Sequence, residues 1–142
     1  MKILFIGDVV GMRSCEALKK ALRGAKQKLG AEIVIVNGEN SAEGNGINPA
    51  SADAIFEAGA DVITTGNHCF RQKTMEAEWE RSSTIIRPAN YGDDVIGKGS
   101  SDLRKGRVRA RPRGVFHRGH QPDGNNFHAA AGKSVPLCGQ DP

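Results

Sequence analysis

The sequence has too little cysteine, too few aromatics and too short an apolar run for several common classes of protein. Its three cysteines, Cys15, Cys69 and Cys138, are an odd number and form no Cys-x-x-Cys pair. A disulfide framework and a zinc knuckle are therefore not expected, and a reducing, cytoplasmic setting is. Aromatic residues make up 5% of the chain, and the Arg-rich run Arg104–Arg113 has none interleaved on which bases could stack. No apolar run approaches the roughly 20 residues that span a bilayer. Met1–Ile6 is apolar but Asp8 follows at once, with no basic region ahead of it, so a signal peptide is not expected either. An excess of one charge is missing where a fold would form. Met1–Ser101 carry 12 basic and 13 acidic residues, whereas Asp102–Pro142 carry 8 and 3. The overall net charge of +4 is thus a property of the tail, and a nucleic-acid reading rests on the tail alone.

What is present suits one modest core: 142 residues, 38% of them hydrophobic. Lys2–Ile6 reads as a buried parallel strand that feeds a loop at Gly7-Asp8. Ala17, Leu18, Ala21, Leu22, Ala25 and Leu29 recur at helical spacing opposite a lysine- and arginine-rich face. They predict a helix over Arg13–Leu29, with Ser14 as N-cap and Gly30 as its stop. Ile33–Val36 is a second strand, followed by a Gly- and Asn-rich loop to Asn48. Pro49 opens a helix that runs to Ala58, where its missing N–H costs little. Asp61–Thr64 is a third strand, Gln72–Arg81 a polar helix and Thr84–Ile86 a short fourth strand. This alternation predicts a layered α/β fold with a mostly parallel sheet.

In such sheets ligands gather beyond the carboxyl ends of the strands. Those ends deliver Gly7-Asp8-Val9-Val10-Gly11, then Asn37-Gly38-Glu39-Asn40, then Gly66-Asn67-His68, then Arg87-Pro88-Ala89-Asn90. Each element alone has an ordinary reading: Asp8 as a loop charge, the Asn-Gly pairs as turns, His68 as a solvated side chain. Three successive strands that end in carboxylate, amide and imidazole go beyond turn chemistry. Those groups suit hard or borderline divalent cations. The first loop is not the Gly-x-Gly-x-x-Gly of a dinucleotide binder.

Together these four motifs closely resemble the YmdB-type family, bacterial calcineurin-like metallophosphoesterases associated with cyclic-nucleotide phosphodiesterase activity. The resemblance covers about Met1–Gly99. It implies the N-terminal βαβαβ portion of a layered metallophosphoesterase fold and two divalent metal ions (Fe, Mn or Mg). By position it implies Asp8 at the first metal, Glu39 bridging both, and Asn40 and Asn67 bound through their amide oxygens. His68 would protonate the leaving oxygen, a role that suits imidazole. Ser41 and Asn90 would line the substrate site. The implied substrate is a phosphodiester such as a cyclic nucleotide. No membrane partner is implied, RNA is not indicated by residues 1–101, and a homo-oligomer stays open.

The chain departs from the family in two places. Cys69-Phe70-Arg71 stands where an aromatic residue and an aspartate usually follow the Gly-Asn-His element. The family is also about twice as long and carries three further metal histidines, two of them in a His-x-His element that this chain lacks. His117, His120 and His128 match none of these and read as solvated. Residues 102–142 read as a non-homologous, disordered Arg/Gly/Pro-rich tail. Codons allowed for His120–Asp141, read one base later, spell a family-like segment, so a frameshift near Ser101 is expected. The resulting expectation is a truncated phosphoesterase domain over 1–101, weakly active or inactive, whose sheet exposes an apolar face. Two alternatives differ in kind: a non-catalytic metal- or nucleotide-binding module, and a nucleic-acid binder that uses the basic tail, whose affinity would fall steeply with salt.

Overall fold

The computed structural model describes residues 1–103, so the expectations for the basic tail and its histidines lie almost entirely outside the described residues. Four strands form one parallel sheet in the order β1-β2-β3-β4: β1 (Ile3–Ile6), β2 (Ile33–Asn37), β3 (Val62–Thr64) and β4 (Ile85–Ile86). Helix α1 (Gly11–Leu29) joins the first two strands, α2 (Pro49–Ala58) the next two, and α3 (Glu76–Arg81) precedes β4. The expected α/β class and parallel pairing are both present.

The topology dictates where the core sits. Crossovers between parallel strands are right-handed in nearly all proteins, so a sheet built strictly in one direction receives every helix on the same face. Accordingly, Val34, Val36, Ile63 and Ile85 share one buried cluster with Cys15 and Leu22 of α1, Ala52 and Ile55 of α2, and Trp79 of α3. Among the described residues the opposite face has no such cover at β1, where Ile3 is 50% and Phe5 59% exposed. Among those residues no helix is long and apolar enough to cross a membrane.

Helix α1 corrects two expectations. Ser14 does not cap it; the helix begins at Gly11, behind Val10, with no side-chain cap. The N–H of Gly11 instead donates to the Asn40 carbonyl at 3.0 Å, so a tertiary contact satisfies a donor that a cap would otherwise take. The buried stripe is Cys15, Leu18 and Leu22, while Ala17, Ala21 and Leu29 face outward. Burial pushes the Cys15 thiol above its ordinary pKa. Gly30 closes α1 in the left-handed conformation, as expected.

Helix α2 begins as the proline predicted, and the structure adds a capping box. Asn48 accepts from the Ser51 N–H at 2.8 Å, and the Ser51 hydroxyl accepts from the Asn48 N–H at 3.1 Å. Asn48→Ala is expected to destabilise the fold by about 1 kcal/mol, read from a denaturant midpoint. The predicted helix over Gln72–Arg81 divides into a 3-10 turn, Lys73–Met75, and α3. The tighter turn carries Met75 into the core, where it is fully buried.

Candidate active site at the carboxyl edge of the sheet

Backbone hydrogen bonds lace the loops that leave the first three strands. Val9 N–H donates to the Asn37 carbonyl, Gly11 N–H to that of Asn40, and Gly38 N–H to that of Thr64, each at 3.0 Å. Thr65 adds both its N–H and its hydroxyl to the Ile86 carbonyl. The loop after β2 is therefore tied to the loop before α1 on one side and to β3 on the other. Gly38 permits the approach: a Cβ there would lie 2.9 Å from Ile55 Cδ1 and 3.0 Å from Ile63 Cγ2.

This lacing assembles a line of three side chains. The Asn40 amide nitrogen donates to both carboxylate oxygens of Asp8, at 3.0 and 3.2 Å. Its amide oxygen lies 2.6 Å from His68 Nδ1. Glu39 reaches the backbone of the same histidine, where its Oε2 accepts from the His68 N–H at 3.3 Å. The carboxylate of Glu39 rests against Gly66, so a Cβ at that glycine would meet Glu39 Oε2 and lie 2.8 Å from its Cδ and Oε1. Residues from three separate strand ends thus meet within hydrogen-bonding distance. Asp8 and Asn67 are exposed, while Glu39, Asn40 and His68 are half-buried, which leaves the group open to a ligand.

The sequence that builds this arrangement matches known proteins. A family model described as YmdB-like protein fits residues 4–112. The chain belongs to the YmdB-like family. A similar Bacillus subtilis (strain 168) protein, named 2',3'-cyclic-nucleotide 2'-phosphodiesterase, is 37% identical over 99 residues. The match covers 70% of this chain and 38% of that protein. Two crystal structures share the fold. One, a hypothetical protein from Thermus thermophilus, is 36% identical with a TM-score of 0.69, covering 75% of this chain and 41% of that one. The other, described as a novel phosphatase from Mycoplasma pneumoniae, is 34% identical with a TM-score of 0.64, covering 70% and 37%. The chain therefore spans about two fifths of the length of these relatives.

Of the residues that the YmdB-like resemblance singled out, Asp8, Glu39, Asn40 and His68 come together. Ser41 does not join them on the ligand side. It is fully buried, and its hydroxyl donates to the Gly38 carbonyl at 2.7 Å and lies 2.8 Å from Ser51 Oγ. Its hydroxyl pins the loop to α2. Asn90 is exposed in the turn closed by Tyr91 N–H to the Pro88 carbonyl. Among the described residues no three His, Cys, Asp or Glu side chains converge as a metal site. Any cation here would need the amide oxygens as well as the two carboxylates.

Two features escaped sequence reasoning. Arg87 is 6% exposed and donates to four backbone carbonyls: Gly97, Pro88, Tyr91 and Gly92, at 3.2, 3.1, 3.3 and 3.0 Å. It shapes the loop that carries Asn90, a role that its place in the Arg87-Pro88-Ala89-Asn90 motif does not disclose. Gln72 fastens the turn after His68 by donating to the Asn45 carbonyl at 2.7 Å. Gly46, at φ +90°, sits where a Cβ would lie 2.8 Å from the Gln72 side chain and 3.0 Å from Arg71.

Proposed function

We propose that this chain contributes one side of a two-metal phosphodiesterase site that acts on cyclic nucleotides, with Asp8, Glu39, Asn40 and Asn67 as metal ligands and His68 as the acid. The observation that carries the reading is the Asp8–Asn40–His68 line with Glu39 beside it. The donors fit the group: two carboxylates and two amide oxygens are the hard ligands that Mn, Fe and Mg accept. When bound, such a metal pair offsets the charge of the phosphate oxygens and lowers the pKa of an attacking water.

Asn40 links the two halves of the chemistry. With its amide oxygen on His68 Nδ1, that nitrogen carries the proton of a neutral ring, and Nε2 has none to give. The two ends of a side-chain amide interchange without moving its other atoms. Turned end for end, Asn40 presents oxygen toward Asp8, where a cation would be held, and nitrogen toward Nδ1. The proton of the neutral ring then resides on Nε2, ready for a leaving oxygen. Metal ligation by Asn40 and proton donation by His68 therefore require the same amide orientation.

The test is Mn²⁺ binding by the 142-residue chain, followed by electron paramagnetic resonance, together with hydrolysis of a 2',3'-cyclic nucleotide. Wild type is expected to bind Mn²⁺, with Asp8→Asn and Glu39→Gln each weaker by about tenfold or more. Turnover is expected to be slow or absent. Binding that is absent, or equal in the variants, defeats the metal assignment. Fast metal-dependent turnover defeats the assignment of one side only.

A further inference from the structure

Beside the proposed site lies an aromatic cluster that the phosphoesterase reading does not use. Phe70, two residues past His68, packs edge-on against Trp79 with ring centroids 5.3 Å apart at 68°. Its ring also faces Tyr91, the residue after Asn90, at 6.1 Å and a tilt of 32°. Trp79 is 2% exposed and belongs to the core; Phe70 and Tyr91 pack against that core and, being half-buried, keep part of each residue at the surface. They stand on loops from adjacent strands, β3 and β4, at the edge that also carries His68 and Asn90.

The placement of both rings is fixed from behind. The turn that holds Phe70 is closed by Cys69 N–H to the Gly66 carbonyl at 3.1 Å and Arg71 N–H to the His68 carbonyl at 3.2 Å. Tyr91 is held through its own carbonyl by the Arg87 guanidinium at 3.3 Å. Trp79 buttresses the Phe70 ring and is itself tightly seated, since a Cβ on Gly97 would lie 3.0 Å from its indole. A pre-placed aromatic surface loses little conformational entropy when a flat ligand stacks on it.

We propose that Phe70 and Tyr91 form a nucleobase subsite, so that the ligand of this edge is a single nucleotide whose phosphate lies at His68 and whose base stacks on the two rings. Stacking is tolerant of base identity because every base has a π-face. It also favours the larger purine surface over the pyrimidine. The inference rests on the cyclic-nucleotide reading above and adds the group that distinguishes a nucleotide from any other phosphodiester.

The experiment compares two probes on the 142-residue chain with saturating Mn²⁺: adenosine 2',3'-cyclic phosphate and the base-free ribose 2',3'-cyclic phosphate. Affinities come from calorimetry, and the base protons are followed by NMR. The expected result is an affinity ratio on the order of tenfold in favour of the adenosine compound, with its base protons shifted upfield by the rings. That ratio should collapse toward one in Tyr91→Leu and in Phe70→Leu, and Tyr91→Trp should retain it. Tyr91 lies on a loop at the surface, so its variant decides the matter if Phe70→Leu does not fold. Equal affinity for the two probes, or a ratio unchanged in a folded Tyr91→Leu, overturns the base subsite while the phosphoesterase reading stands. Failure of both probes to bind overturns that reading and this inference together.

Discussion

Gly66→Ala is expected to weaken the proposed divalent-metal binding about tenfold or more while leaving the stability of the fold almost unchanged. The two effects separate because of what the new methyl would meet. Its contacts are the carboxylate atoms of Glu39, the far end of a flexible side chain. Gly66 does not occupy the left-handed region, so alanine brings no backbone strain. Glu39 simply swings aside. Unfolding free energy should move by no more than about 0.5 kcal/mol, as for an ordinary surface change. The displaced carboxylate, however, can no longer accept the His68 N–H or join Asp8 at the proposed cation, and Mn²⁺ affinity should fall about tenfold or more. Gly38→Ala supplies the contrast, because its methyl would press on Ile55 and Ile63 in the core, where overpacking costs about 1–3 kcal/mol. Equal loss of stability in the two variants, or intact Mn²⁺ binding by Gly66→Ala, would contradict the account.

The same contact explains why the Gly-Asn-His element is legible in sequence while its physical purpose is not. Spacing shows that His68 follows a strand and that glycine precedes it; only the fold shows that the glycine clears room for Glu39, 27 positions earlier. Strand and helix identities were readable because periodicity is local. The N-terminus of α1 was not, because the partner of its Gly11 N–H is the carbonyl of Asn40, a contact between distant segments. Capping rules therefore point to Ser14, which lies inside a helix that uses no side-chain cap. Asn48 shows the converse. Its neighbourhood of Asn and Gly suggests a plain turn, yet Ser51 lies three residues on, and the pair closes a capping box.

Ser41 marks a different limit. The family resemblance placed it among the candidate substrate contacts, but Ser41 and its neighbour Asn40 point in different directions. Asn40 faces Asp8 and His68, while Ser41 faces inward to Gly38 and Ser51. The hydroxyl thereby binds the site loop to the first turn of α2. Along this loop Glu39 and Asn40 face the candidate site, and the next residue, Ser41, holds the loop from within.

Arg87→Met is the substitution expected to cost the most stability, at least about 2 kcal/mol. The guanidinium is nearly buried and gives hydrogen bonds to the carbonyls of Pro88, Tyr91, Gly92 and Gly97. Methionine fills similar space but donates to none of them, and each carbonyl left without a donor or water costs about 1–3 kcal/mol. Gly92 is exposed and Pro88, Tyr91 and Gly97 are half-buried, so the expected total is set below the simple sum. Arg87→Lys should recover only part of the loss, because an ammonium is a compact point charge and cannot match a planar fork spread over four acceptors. Denaturant unfolding measures the global effect, and hydrogen exchange locates it. Protection should fall first in 88–97 and extend to Ile86 and Lys98, whose backbones form an isolated parallel bridge beside the Arg87 N–H bond to the Lys98 carbonyl. Because the same loop carries Asn90 and Tyr91, the methionine variant should also lose the preference for adenosine over the base-free ribose compound. A loop that stays protected, or a lysine variant as stable as wild type, would show that the carbonyls do not depend on the guanidinium.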